Sequence, residues 1–397
     1  MAKTLVYQMY PISFKNIGAM TRHLLIPSQL GADYVWLSPL YLSPRDDHGY
    51  DVANYKAIDP RFGTMDDFEY FIEIAHSYGL GVIMDLVLNH TSTKHAWFTT
   101  HPQYYCWAKE DKPDWKNLFN GGPAWKYHDK AGKYYLHTFH ETQADLNWFP
   151  DGSLNRTLVK EFRKIVDFWT DLGVDGWRLD VPQSINKDFA SDHMEFKDLL
   201  FGYKAAEVIN AVFKGKNTFL MMECFDPSYG GLTEYYAENT PVDFVLNVMV
   251  KDAISEGEDY FQKVIKSSAK NSHFMLDFES HDSPRFPSRS GFAPEKSLRI
   301  LFESGAEGIC LYQGQELGLY NPNPRELTDK QMLDLDAQTL MKFRQGENLD
   351  DLRPNSRANA RISLDISNYI NVVTESEIFK ITRNWVEHWK QEVHHEV

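Results

Sequence analysis

The sequence has no run approaching 18 consecutive apolar residues, which argues against a membrane-spanning helix. Its start, MAKTLVYQMYPISF, has no basic stretch followed by a long apolar one, so no secretory leader is read and a cytoplasmic location is expected. Cysteine is scarce. Cys106, Cys224 and Cys310 are odd in number and far apart, which suits neither a disulfide framework nor a zinc pattern, and reduced thiols are expected. Positive charge is in deficit: 41 Lys and Arg stand against 56 Asp and Glu, a net charge of −15, which argues against nucleic acid or an anionic membrane as a partner. No glycine-rich phosphate loop follows the first strand-like run, so a nucleotide-binding sheet has little support and no cofactor is expected. Low-complexity segments are also lacking.

What is present is an alternation. Eight apolar runs read as strands: 5–12, 34–39, 81–90, 173–181, 218–225, 241–248, 273–280 and 307–314. Most are nearly continuous Val, Ile, Leu, Met and aromatics, as in parallel strands covered on both faces. Helix-period segments lie between them. After Thr64, apolar residues recur at Phe68, Phe71, Ile72, Ile74 and Ala75, and farther on at Leu158, Phe162, Ile165, Val166 and Trp169, with Gly173 past the end. Eight such repeats predict a (β/α)8 barrel, preferred over a doubly wound open sheet because polar residues stand at many different strand ends. One connection is too long for a loop. Residues 91–150 are therefore read as a small insertion between a first barrel part (1–90) and a second (151–361), followed by a helical tail (362–397). Five of the ten tryptophans fall between Trp97 and Trp148. They could stack on sugar faces, or form the core of that insertion.

Three acids close apolar runs: Asp180 in GVDGWRLD, Glu223 in TFLMME and Asp282 in HFMLDFESHD. A carboxylate at a strand end is costly unless paired, solvated or used. Neighbouring strands lie ~4.8 Å apart, so Asp180 and Glu223 could approach to about 5 Å, the separation of a retaining glycosidase. Arg178 would face the same lumen and keep Asp180 ionised. The apolar neighbours Met221, Met222, Cys224 and Phe225 would raise the pKa of Glu223 and keep it an acid.

These residues resemble glycoside hydrolase family 13, the α-amylase superfamily, and most its oligo-1,6-glucosidase and α-glucosidase branch. The resemblance rests on DLVLNH (85–90), DGWRLDV (175–181), the Glu in MMECF (221–225) and ESHD (279–282), in that order, with support from YQMYPISF (7–14), QADLNW (143–148) and LYQGQELGL (311–319). It implies that Asp180 is the nucleophile, Glu223 the general acid/base and Asp282 the transition-state stabiliser. It also implies that Asp47, Tyr50, His90, Arg178 and His281 line the non-reducing-end glucose subsite. Arg361, in SRANAR (356–361), would return to that subsite. Val181 after the nucleophile goes with α-1,6 linkages in that branch, so a short oligosaccharide is the expected substrate.

Two departures qualify the resemblance. The loop SFKNIGAMTRHLL lacks the acidic calcium loop of close relatives, so no metal is expected there. Only about 36 residues follow Arg361, too few for the usual C-terminal β domain. Its loss would expose apolar helix surface and favour a homo-oligomer. The leading expectation is a retaining exo-acting α-glucosidase. Alternatives are a transglycosylase, phosphorylase or isomerase using the same glucosyl-enzyme, or an inactive barrel serving as a binding subunit. A metal-dependent hydrolase would need histidine pairs at strand ends, and the first strand supplies none.

Overall fold

The computed structural model describes residues 3–363 and 375–392. The eight predicted runs form eight parallel strands: β1 (Thr4–Met9), β2 (Tyr34–Leu37), β3 (Gly81–Val87), β4 (Gly176–Asp180), β5 (Phe219–Cys224), β6 (Phe244–Asn247), β7 (Phe274–Asp277) and β8 (Gly308–Tyr312). They close a barrel in sequence order, with β1 paired to β8 through Thr4↔Gly308 to Gln8↔Tyr312. Among the described residues no helix is long and apolar enough to cross a membrane.

All eight strands end sooner than predicted, by one to three residues, and for the first and third the reason is local. Pro11, which has no N–H to give a ladder, opens a short helical turn after β1. The run 81–90 is two strands: β3 stops at Val87, and His90–Ser92 pairs antiparallel with Gln143–Asp145. That second pairing swings His90 over the mouth of the barrel.

Alternation along each strand sorts the core. Val6, Trp36, Ile83, Met221, Phe244, Leu246, Met275 and Cys310 fill the lumen, while Leu5, Val35, Val82, Leu179, Met222 and Ile309 pack against the helices. Glycine makes room for the large lumen rings: a Cβ at Gly308 would lie 2.7 Å from the Phe244 ring. The predicted helices start at real caps. Thr64 and Asp67 form a reciprocal capping box for Met65–Ser77, and the Asn155 side chain accepts from two amides at the start of Arg156–Asp171. Leu158, Phe162, Ile165, Val166 and Trp169 are all buried, so the predicted stripe is the face turned to the barrel.

Within 91–150, Trp107–Ala108, Lys133–Leu136 and Trp125–His128 make a three-stranded antiparallel sheet. Its side chains pack with Met194 and Leu199, from the connection after β4. Of the expected tail, 364–374 and 393–397 lie outside the described residues. Its helix Glu377–Gln391 packs against Pro294–Phe302 and Leu25–Leu30, and Lys390 Nζ meets both oxygens of Asp33 at 2.7 and 2.8 Å.

Candidate active site

The C-terminal end of the lumen is charged. Register puts Arg178 beside Asp85, and Leu179 beside Met222, so Asp180 and Glu223 are the next residues of two adjacent strands. One guanidinium ties three acids. Arg178 Nη1 donates to Asp85 Oδ1 at 2.9 Å and to Asp180 Oδ1 at 2.6 Å, and Nη2 donates to Glu223 Oε2 at 2.5 Å. The second Asp85 oxygen accepts from the Trp36 indole and the Tyr50 hydroxyl, each at 3.1 Å.

One cation cannot balance three buried anions. Burial, and after it the charges of Glu223 and Asp85, push Asp180 well above the usual carboxylate range against the pull of Arg178. Arg178 is thus shared among three acids and does not serve Asp180 alone. Burial also raises Glu223, with Arg178 opposing. Both Asp85 oxygens face donors, which leaves it no place for a proton. The proton retained by the cluster belongs to Asp180 and Glu223, which titrate as a pair.

Asp282 departs from its expected place. β7 ends at Asp277, which pairs with Lys251, and Asp282 stands in the loop beyond. A fully buried Arg285 turns that loop, donating to Glu279 Oε2 at 2.9 Å and to the Gln313 carbonyl at 2.8 Å. Although burial would raise Asp282, Arg357, His281 and Arg361 hold it well below the usual carboxylate range. Arg357 lies 3.2 Å and Arg361 2.8 Å from Asp282 Oδ1.

Asp47, Tyr50 and His90 come together with Asp180, Val181 and Asp282 around one small cavity. Tyr50 stacks on His281 at 5.3 Å, and its oxygen lies 2.7 Å from His281 Nε2. The opposite nitrogen of His281 faces Gln8 Nε2 at 2.8 Å. Gln8 as donor there makes His281 Nε2 the donor to Tyr50, whose own proton goes to Asp85. Asp51 supports the loop by accepting from the amides of Asp46 and Asp47 at 2.9 and 3.2 Å. Burial pushes Asp47 up to about 7, and it accepts from Gln143 at 2.9 Å.

Arg178 and His281 line the adjoining cavity of about 270 Å³. Arg361 lines none of the cavities at the mouth. It is buried behind Asp282, donating to the His281 and Leu335 carbonyls at 2.8 and 2.9 Å. The arginine that reaches the pocket is Arg357, which the sequence reading passed over although it stands in the same SRANAR segment. The tryptophans of the insertion are also absent from the cavity walls. Trp115, Trp125 and Trp148 are buried core, while Phe119, Phe139, Phe196 and Phe225 line a third cavity of about 550 Å³ beside Val181. Among the described residues no group of three His, Cys, Asp or Glu is arranged to hold a metal ion.

A closed barrel with clustered carboxylates at the carboxyl ends of its strands is the architecture of a barrel glycoside hydrolase. The family described as alpha amylase, catalytic domain, matches residues 8–365, and the chain belongs to it, that is, to glycoside hydrolase family 13. It is similar to trehalose-6-phosphate hydrolase of Escherichia coli (33% identity over 91% of this chain and 74% of that one). It is similar also to oligo-1,6-glucosidase of Heyndrickxia coagulans (42% over 47% of this chain and 36% of that one). The solved structure of Bacillus licheniformis trehalose-6-phosphate hydrolase superposes with a TM-score of 0.83 at 28% identity, over 98% of this chain and 84% of that one.

Proposed function

We propose that the chain is a retaining, exo-acting α-glucosidase that cleaves α-1,6 bonds of short glucosides. The observation that carries this reading is the adjacent register of Asp180 and Glu223, joined by one guanidinium. An inverting pair needs a gap of roughly 6.5–9.5 Å for water, and a retaining pair about 5–5.5 Å. In the proposed cycle Asp180 attacks the anomeric carbon while Glu223 gives its proton to the departing glycosidic oxygen. Water then enters, loses a proton to Glu223 and displaces Asp180, restoring both groups. Asp282, held ionised by its arginines, faces the positive charge that develops on the ring.

Tyr50, Asp47 and His90 would bind the glucose, and residues 91–150, through Phe119 and Phe139, would wall the pocket into an exo shape. Val181 supports the α-1,6 preference. The cations near the leaving-group side are already matched, Lys251 by Asp277, Arg289 by Asp252 and Arg357 by Asp282, which favours an uncharged aglycone over a phosphorylated one.

The test is turnover of isomaltose, maltose, sucrose, trehalose and trehalose 6-phosphate, with the first-formed anomer read by NMR. Release of α-glucose chiefly from isomaltose is expected. β-Glucose first would refute retention, and preference for the phosphorylated sugar would refute the aglycone assignment. A sugar phosphate formed with phosphate present, or an isomer formed from sucrose, would make the enzyme a transferase instead. Asp180→Asn should abolish turnover of an aryl α-glucoside while circular dichroism shows the fold intact; unchanged activity would sink the assignment.

A further inference from the structure

Lys187, in the turn after β4, is 3% exposed and buried against three acceptors. Its Nζ donates to Asn89 Oδ1 at 2.6 Å and to the Ser184 carbonyl, and it pairs with Asp145 Oδ2 at 2.9 Å. These use all three protons of the ammonium. Asp145 is further held by the Thr138 amide at 3.0 Å and lies opposite His90 in the short ladder. Lys187 thus joins the segment after β3, the turn after β4 and the insertion at one point.

The consequence lies in Asn89. A lysine can only donate, so the amide atom facing Lys187 is the oxygen, and the NH2 group must face the other way. It faces His90 Nδ1 at 3.2 Å. Nδ1 is therefore an acceptor, and the ring proton resides on Nε2. His90 Nε2 is buried with no partner at hydrogen-bond distance, although the Tyr50 carbonyl is near enough to the ring to favour its protonated form, and the ring lines the cavity shared with Asp47, Tyr50 and Asp180. Burial, helped by the charge of Lys187, holds His90 down to about 4 against Asp145 and the Tyr50 carbonyl, so the ring is neutral near pH 7.

We propose that Lys187 is a positioning residue that, through the amide of Asn89, fixes His90 in the Nε2–H tautomer and so presents an N–H donor to a substrate hydroxyl. The substrate part of this statement rests on the glucosidase reading, whereas the tautomer does not.

Two variants and a tautomer-sensitive probe separate these parts. In protein labelled with 15N at histidine, the His90 signals, assigned by their loss in His90→Gln, should show Nδ1 unprotonated and Nε2 protonated in the wild type. Asn89→Asp keeps the acceptor for Lys187 but offers His90 a second acceptor, so Nδ1 should gain the proton. Lys187→Met frees the Asn89 amide to rotate and should give a mixture of tautomers. In both variants KM for an aryl α-glucoside should rise about tenfold, the effect of one lost hydrogen bond, with kcat changed less. An Nδ1–H tautomer in the wild type, or an unchanged spectrum in Asn89→Asp, overturns the proposal. If Lys187→Met does not fold, the near-isosteric Asn89→Asp decides alone. Failure of the glucosidase reading would remove the KM effect and leave the spectra as described.

Discussion

Arg357 and Arg361 both touch Asp282, but the structure assigns them different costs. Arg361 is 2% exposed and donates to two backbone carbonyls as well as to Asp282. Arg361→Met would leave two buried carbonyls and a carboxylate short of a donor, a loss of about 3–5 kcal/mol of stability by analogy with broken buried pairs. Arg357 keeps 27% of its side chain exposed and makes one ion pair at 3.2 Å, so Arg357→Met should cost less than about 1 kcal/mol of folding stability. Its effect should fall on catalysis, because it faces the cavity and is the foremost charge holding Asp282 down. A charge-assisted contact of about 1.5–3 kcal/mol converts to a roughly ten- to hundredfold fall in kcat/KM. Asp282 has a depressed pKa, so its charge is present above that value, and Arg361 still holds it after Arg357 is gone. Asp282 should therefore stay ionised from pH 6 to 8, whereas Asp47, which Arg357 pulls down, should titrate higher in the variant and shift the pH profile upward. Urea unfolding and initial rates on an aryl α-glucoside measure both quantities. Equal destabilisation by the two variants, or full kcat/KM in Arg357→Met, would refute the division.

Val181 has φ 33° and ψ 53°, a left-handed conformation that costs a β-branched residue about 1–3 kcal/mol. Val181→Gly should therefore unfold at a urea concentration no lower than the wild type despite losing a side chain. Val181→Thr, nearly isosteric, should move the isomaltose-to-maltose ratio of kcat/KM toward maltose by roughly tenfold; an unchanged ratio would remove Val181 from the specificity argument. Asp47 is raised by burial from 3.8 to about 7, so its contribution to stability is full below 3.8 and is lost as pH rises through 7. The stability read from urea unfolding should fall between pH 5 and 8, by at most about 3 kcal/mol for this group. Asp47→Asn should reduce that slope without abolishing it, because Glu316 is raised to about 7 by burial in the same way.

The barrel was legible because its signals are local. A lumen-and-helix sandwich needs apolar strands, and eight such runs with caps such as Thr64 and Asn155 between them leave few other folds. The acids on β4 and β5 were legible for the same reason, since position in a parallel strand fixes side-chain direction. What was not legible depends on contacts between distant segments. Arg357 and Arg361 stand four residues apart in one short motif, and nothing in that motif says which one reaches the pocket. The choice follows from Arg361 meeting the carbonyls of Leu335 and His281. The setting of Asp180 was legible only in part: the i, i+2 spacing from Arg178 was visible, but not that Asp85 and Glu223 draw on the same guanidinium. The tryptophans were left between two readings because burial and sugar stacking ask for the same ring, and the packing of Trp115 and Trp125 with Met194 and Leu199 decides for the core.

The errors share a direction. In each, a side chain was assigned to the substrate that the protein uses on itself, as with Arg361, or a partner was treated as exclusive that several groups share, as with Arg178. The mouth of a barrel gathers loops from eight strand ends, so most of its polar groups must be spent holding those loops. The groups left for a ligand are the ones whose own hydrogen-bonding capacity stays open toward the cavity. By that criterion His90 Nε2 and the free oxygens of Asp180 and Glu223 face outward to chemistry, whereas Asp85, Arg285 and Lys187 face inward to architecture. Substitution of the first set should therefore be read in rates, and substitution of the second in stability or in the geometry of a neighbour.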